Sequence, residues 1–454
     1  MNKLSLTCYG GVGSVTGANF LLAWGERHIL VDCGLVQGGE FAKEENKKPF
    51  AYNPAKTDTL IVTHAHMDHI GRIPKLVQEG FSGKIISTPS TKELAEIMLI
   101  DSMGVLARQA EEKGEEPLYT KEDVVKALSL WETTPYHTNT DMGDGFSFIF
   151  KDAGHILGSA IVTITAPNGK KIVFSGDLGN SPAPLLRETE SITEADYIVM
   201  ESVYGDRVHE ARDTRSKQLE EIIAESIQRG GALMIPAFSI ERTQTVLYEI
   251  NKLIESGKIP HVPVFLDSPL AIKVTDIYKH RSKNFNEDVR GEIQDGDDIF
   301  DFPNFTATLR SRESHEIDAV PNPKIIIAGS GMSNGGRIVR HEQKYLPDPS
   351  STILFLGFQA AETLGRKILE GNKEVMINNE KVPVKARVEV ITGYSGHADR
   401  DGLLAFVEPV AEQVRKVFVT MGEPKASLFL VQRLRDYLGV DAVYPEAEKE
   451  YVLE

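Results

Sequence analysis

Six apolar runs, each the length of a β-strand and rich in Val, Ile or Phe, end on residues that a sheet interior does not need. "HILVDCG" ends on Asp32, "TLIVTHAH" on His64 and His66, and "KIVFSGD" on Asp177, while "DYIVMES" ends on Glu201, "VEVITGYSGH" reaches His397 and "KVFVTMGE" reaches Met421. Strands laid side by side bring such ends to one rim, where α/β proteins build their sites. Six independent runs ending this way point to an α/β fold with one crowded rim.

A chain of 454 residues is too long for one ordinary core and suits two domains, and 41% hydrophobic with 26% charged residues is a globular composition. Between Arg207 and about Pro383, helical patterns such as "TRSKQLEEIIAESIQRG" and "SIERTQTVLYEINKLIESG" alternate with the strand-like "ALMIPAF", "VPVFLD", "KIIIAGS" and "STILFLG". This reads as a second α/β domain inserted into the first. The acidic stretch "NEDVRGEIQDGDDIFD", residues 286–301, reads as solvated surface.

Several function classes are disfavoured. Cys8 and Cys33 are the only two cysteines, which excludes a disulfide framework or thiolate zinc cluster and fits a reducing compartment. The start "MNKLSLTCYGGVGS" has no signal-peptide core, and no run reaches the roughly 18 apolar residues of a membrane span. A cytoplasmic protein with no membrane partner is expected. A net charge of -16 disfavours wide coating of nucleic acid but leaves room for a local basic groove.

Within "TLIVTHAHMDHIGRIP", His64, His66, Asp68 and His69 follow a buried-strand pattern directly. Two histidines separated by one residue on extended chain project to the same side, and a tight turn lets Asp68 and His69 face a neighbouring point. One turn could serve two ions. "DAGHILGS" adds His155 among small residues, and "FSGDLGN" adds Asp177, whose carboxylate can bridge two ions where an imidazole cannot. A lone His155 would be an ordinary core or surface histidine; beside H-x-H-x-D-H a ligand is the better reading. Imidazole and carboxylate donors without thiolate suit zinc, with manganese and iron as alternatives. Elsewhere, "GSGMSNGGR" forms a glycine-rich turn before a helix. Backbone at Ser330, Gly331, Ser333, Gly335 and Gly336, with the Arg337 side chain, could cradle a phosphate. Arg242 in "FSIERTQ" is a further candidate, with a surface salt bridge as its plainer role.

"THAHMDHIGRIP", "GHILGS", "FSGDLG" and Asp32 in "VDCG" together resemble the metallo-β-lactamase family. "ESVYGDR", "PAFSIERTQ", "DSPLA", "GSGMSNGGR" and "GYSGHAD" resemble its β-CASP branch, which contains RNA-processing nucleases. The likeness runs from about residue 5 to about residue 437 and is closer to the cleavage and polyadenylation type than to the ribonuclease J type. Its bacterial relatives lack the archaeal KH extension, as this chain is expected to.

The resemblance implies a metallo-β-lactamase αββα sandwich with an inserted α/β β-CASP domain. The expected boundaries are 1–207 and 386–454 for the sandwich and 208–385 for the insert. It implies that His64, His66, His155 and Asp177 hold one zinc, and that Asp68, His69 and a bridging Asp177 hold a second. Asp32 would orient ligands from behind, and His397 would be the general acid, oriented by Glu201. The implied activity is metal-dependent hydrolysis of single-stranded RNA by a zinc-activated water, in a protein whose relatives often dimerise.

One position departs from the resemblance. The family usually carries V-x-x-V-H-G-E where this chain reads "VFVTMGE", so Met421 stands where a histidine completes the second zinc site, and none of the twelve histidines follows His397. A thioether is a poor zinc ligand beside carboxylate and imidazole, so the second site is expected to be weakened. "ESVYGDR" also has Val203 where threonine is common. Besides a working nuclease, two other readings stand. The chain is either an inactive RNA-binding or scaffold homologue, which Met421 alone favours, or a hydrolase of small esters or thioesters, which the large insert disfavours.

Overall fold

The computed structural model describes residues 3–38, 42–209, 212–357, 359–360 and 362–454, excepting the side chains of residues 212 and 213. It divides into two compact units, Met1–Val208 with His397–Glu454, and His209–Gly396.

The first unit contains two seven-stranded sheets. One runs Glu450–Leu453, Leu4–Gly10, Asn19–Trp24, Arg27–Val31, Thr59–Ile61, Lys84–Ser87 and Trp131–Thr133, parallel across its last four strands. The other runs Ala442–Val443, Lys416–Val419, Tyr197–Met200, Lys171–Phe174, Ala160–Thr165, Phe146–Asp152 and Thr140–Gly143, parallel across its first four. Strict alternation decides which face turns inward: Phe146, Phe148 and Phe150 are buried while Ser147, Ile149 and Lys151 are only partly covered. Those rings join Leu6, Phe20, Leu22 and Ile29 of the facing sheet in one core, each fully buried side chain contributing about 1.5–3 kcal/mol. Beyond the second sheet, Ile161, Val173, Ile198 and Val417 pack with Leu403 and Phe406 of the helix Arg400–Val407 and with Leu430 and Leu434 of the helix Pro424–Leu438. The unit is the expected layered sandwich, and the C-terminal strand Glu450–Leu453 closes it by pairing with Leu4–Thr7.

The second unit is built on a six-stranded, wholly parallel sheet ordered Phe305–Ala307, Val264–Leu266, Lys324–Ala328, Ala232–Pro236, Thr352–Leu356 and Arg387–Ile391. The four inner strands are buried along their length, as parallel strands covered on both faces must be, while the edge strands Phe305–Ala307 and Arg387–Ile391 are partly exposed, and helices such as Arg242–Glu255, Pro269–His280 and Ile338–Tyr345 connect them. The boundary differs from the one expected at 385. Arg387–Ile391 pairs with Thr352–Leu356, so residues 386–396 belong to the second unit and the chain returns to the first at His397. Their alternating pattern announces a strand without saying which sheet receives it. Within the acidic stretch, residues 287–294 form a helix in which Val289 is buried.

Candidate metal centre

The strand Thr59–Ile61 ends in an extended segment that carries Thr63, His64 and His66, and a single helical turn, Met67–Ile70, then presents Asp68 and His69. Gly34 lets that turn sit close, since a Cβ there would lie 1.5 Å from the carbonyl oxygen of Asp68. His155 leads a bend whose backbone is fixed by Ser159, its Oγ accepting hydrogen bonds from the N–H groups of His155 and Ile156 at 3.1 and 3.3 Å. Asp177 follows the strand Lys171–Phe174, and Glu201 follows its parallel neighbour Tyr197–Met200. The returning chain pairs back at this rim, with Ala398 N–H donating to the Leu178 carbonyl at 2.7 Å and His397 bridging Gly179.

These elements bring four donor atoms together. His64 Nε2 lies 3.1 Å from His66 Nδ1 and 3.4 Å from Asp177 Oδ2, and His155 Nε2 lies 3.2 Å from His66 Nδ1 and 3.6 Å from the same Asp177 oxygen. A tetrahedral ion with bonds of about 2.0–2.2 Å to nitrogen and oxygen needs donor–donor edges of roughly 3.3–3.6 Å. The four measured edges, 3.1 to 3.6 Å, come close to that tetrahedron, the two between imidazoles being slightly short of it. Burial, then crowding by neighbouring imidazoles, holds His64 and His66 below the usual imidazole range, which favours the neutral form that ligates metal.

The second cluster uses the other oxygen of Asp177. Oδ1 stands 3.2 Å from His69 Nε2, and Asp68 Oδ2 stands 3.9 Å from that same nitrogen. Asp177 Oδ1 and His69 Nε2 are both buried and make no hydrogen bond. Orphaned polar atoms that face one another are costly unless a further group sits between them. Three residues, Asp68, His69 and Asp177, lie within reach of such a group, against four in the first cluster.

Asp32 stands behind both clusters. Its Oδ2 lies 2.7 Å from His69 Nδ1 and accepts the Thr63 hydroxyl at 2.8 Å, while Oδ1 accepts the Thr63 N–H at 2.8 Å. An Nδ1 proton shared with Asp32 leaves the His69 Nε2 lone pair turned toward Asp177. Thr63, also 3.1 Å from His64 Nδ1, is a residue that the sequence reading passed over. Its signal was its position, the one polar residue between the apolar run and the first histidine.

His397 Nδ1 stands 3.2 Å from Glu201 Oε2 and 3.8 Å from Asp177 Oδ2. Burial disfavours a charge on His397, but the Glu201 carboxylate outweighs it and pushes the imidazole up to about 9. Glu201 is itself held in place by the Leu178 N–H at 2.6 Å.

Met421 lies at the same rim, buried and left-handed at φ 46°, with its carbonyl accepting from Ser202 N–H. Its sulfur packs against Gly11, where a Cβ would fall 2.5 Å from Sδ, and the side chain joins the apolar core around Phe20.

The glycine-rich turn lies in the second unit and has its own partners. Arg337 donates to Asp267 Oδ1 and to the carbonyls of Thr308 and Leu309, each at 2.8 Å, so the side chain expected to face a phosphate is committed to holding the fold. The Ser333 hydroxyl bonds the buried Glu342, Ser330 Oγ accepts from Asn334 N–H, and the Gly335 carbonyl accepts from Ser330 N–H. Gly331 abuts Phe238, and Gly336 takes φ 72° with a Cβ position 2.2 Å from the Gly329 carbonyl oxygen. Arg242 donates to the Leu356 carbonyl.

Three domain families match the chain: Metallo-beta-lactamase superfamily over residues 14–221, Beta-Casp domain over 243–368, and Zn-dependent metallo-hydrolase RNA specificity domain over 381–445. Among curated proteins it is 35% identical over 400 residues to Ribonuclease TTHA0252 of Thermus thermophilus, covering 88% of this chain and 90% of that protein. It is 32% identical over 455 residues to Transcription termination factor FttA of Methanosarcina mazei, covering 96% and 69%. A crystal structure of a protein of unknown function from Enterococcus faecalis V583 shares the fold, with a TM-score of 0.59 at 12% identity over 99% of this chain and 100% of that one. The chain belongs to the β-CASP branch of the metallo-β-lactamase superfamily. No helix among the described residues is long and apolar enough to cross a membrane.

Proposed function

We propose that this chain is a zinc-dependent ribonuclease that hydrolyses phosphodiester bonds of single-stranded RNA. The observation that carries the reading is the pair of donor clusters sharing Asp177, one with edges of tetrahedral length and the other with orphaned atoms, beside the His397–Glu201 pair. The relatives named ribonuclease and termination factor support RNA as the substrate.

His64, His66, His155 and Asp177 would hold one zinc, and Asp68, His69 and Asp177 would hold a second. Zinc there supplies Lewis acidity, making water acidic enough to ionise at neutral pH and offsetting charge that builds on a phosphodiester. Asp32 fixes the His69 tautomer. His397, kept protonated by Glu201, donates its proton to the departing ribose oxygen, and Glu201 keeps the ring in one orientation. No side chain need act as the nucleophile. With three protein donors and the Met421 sulfur turned into the core, the second cluster would hold zinc less tightly than the first.

The test is incubation of the purified protein with single-stranded RNA, labelled separately at each end, with and without zinc, beside His64→Ala. Metal-dependent cleavage that His64→Ala abolishes is expected. RNA that stays intact at every zinc concentration would instead support the binding or scaffold reading, which Met421 favours.

A further inference from the structure

The carboxyl ends of the parallel strands in the second unit form a rim of their own, and large apolar side chains such as Phe238 and Leu309 stay exposed just beyond strand ends there. Phe238, two residues beyond the strand Ala232–Pro236, is 42% exposed, while phenylalanines of the strands beneath, such as Phe265 and Phe355, are buried. Leaving an aromatic ring in water forfeits much of what its burial would contribute. The backbone of Phe238 is nevertheless held in place. Its carbonyl accepts both the N–H and the hydroxyl of Thr243, at 3.3 and 2.7 Å, in the first turn of the helix Arg242–Glu255.

On its inner side the ring rests on the glycine-rich turn. A Cβ at residue 331 would fall 2.7 Å from Phe238 Cδ2 and 2.9 Å from Cε2, so a side chain there would displace the ring. The turn is immobilised from below. Buried Gln359 donates to the Gly331 carbonyl at 3.0 Å, the Met332 carbonyl accepts from Gly365 N–H, and the Gly329 carbonyl accepts from Ile338 N–H. Ser333 is tied to Glu342, whose carboxyl burial pushes up to about 8, and Arg337 is tied to Asp267. The result is a half-exposed aromatic surface on a fixed backing, at the edge where parallel sheets take ligands.

We infer that Phe238 is a stacking platform for a nucleobase of single-stranded RNA. Every base has a π-face, so such a contact is tolerant of sequence, and a ring already held in place forfeits little freedom on binding. Arg337 brings no free charge to this rim, because its guanidinium is paired with Asp267. The inference rests on the RNA reading above.

Binding of a fluorescently labelled single-stranded RNA of mixed sequence is measured by anisotropy, with zinc present and in the full-length His64→Ala background. Phe238→Ala should weaken binding about tenfold, within the range for loss of one base–aromatic stack. Phe238→Trp should retain or tighten it. An otherwise identical abasic strand should bind the Phe238 protein and Phe238→Ala alike. Thermal melts and zinc content of each variant report folding. Equal affinity of Phe238 and Phe238→Ala for RNA overturns the inference while the nuclease reading stands. Full affinity in Phe238→Leu would show apolar packing in place of stacking and overturn it as well. If the unaltered protein neither binds nor cuts RNA, the nuclease reading falls and takes the inference with it.

Discussion

Two buried clusters of charged and polar side chains, one in each unit, invite opposite conclusions. Around Asp177, imidazoles and carboxylates are pressed together and two atoms are left without hydrogen bonds. Around Asp267, Thr308 and Ser314 hydroxyls at 2.6 Å, His341 at 2.7 Å and Arg337 at 2.8 Å satisfy one carboxylate from four sides. Both clusters come from motifs of the same family. The contrast lies in the carboxylates: both Asp267 oxygens are satisfied without a ligand, although His341 Nδ1 beside them is not, whereas Asp177 keeps an orphaned oxygen facing the orphaned His69 Nε2, which marks where a ligand belongs.

His64→Ala and Asp267→Ala set that contrast to a crossed test. His64→Ala should abolish hydrolysis and zinc binding at the first site while the metal-free protein melts no lower, since the substitution relieves crowding among like groups. Asp267→Ala should cost about 3–5 kcal/mol of stability, with or without metal, because it takes the carboxylate from the fully buried His341 and the partly buried Arg337 at once. Denaturant titration with and without chelator measures both, and a metal-dependent loss in Asp267→Ala would break the distinction.

The Asp267 carboxyl also carries a pH signature. Burial alone would raise it, but hydrogen bonds from His341, Ser314, Thr308 and Arg337 outweigh burial and hold it far below the usual range. Stability from this depressed carboxyl is complete above the unfolded pKa of about 3.9 and is lost as pH falls below it. Asp267→Ala should therefore flatten the acid side of the stability curve, read from denaturation midpoints between about pH 5 and 2. Asp32→Ala sharpens the other side. It should weaken zinc by about 10–100-fold in calorimetry, the usual effect of losing a carboxylate behind a ligating imidazole.

Met421→His should have a smaller effect, raising zinc stoichiometry at limiting metal and tightening the second site, provided the new ring turns away from Gly11. Unchanged zinc content would show that three donors already suffice. The smallest effect is expected from Arg337→Gln. A guanidinium already paired to Asp267 displaces few counterions on binding, so the slope of RNA affinity against salt should stay the same. A slope shallower by about one would return Arg337 to the phosphate.

The sequence by itself determined the α/β class, the inserted second domain and the residues brought together at the rim, because their information is local. His64, His66, Asp68 and His69 occupy one turn, and Asp177 and Glu201 each end a strand recognisable from its own residues. The tertiary structure alone decided which strand joins which sheet and which buried charge finds a partner. Arg337 read as a phosphate ligand because Asp267, 70 residues away in sequence, is invisible to a local pattern. The strand Arg387–Ile391 read as part of the sandwich for the same reason, since its pairing with Thr352–Leu356 exists only once the chain has folded. The roles of Thr63 and Met421 are likewise set by what surrounds them: one hydroxyl joins Asp32 to His64, and one sulfur turns to Gly11. Long-range packing and hydrogen bonding set such partners, and composition and periodicity carry no record of them.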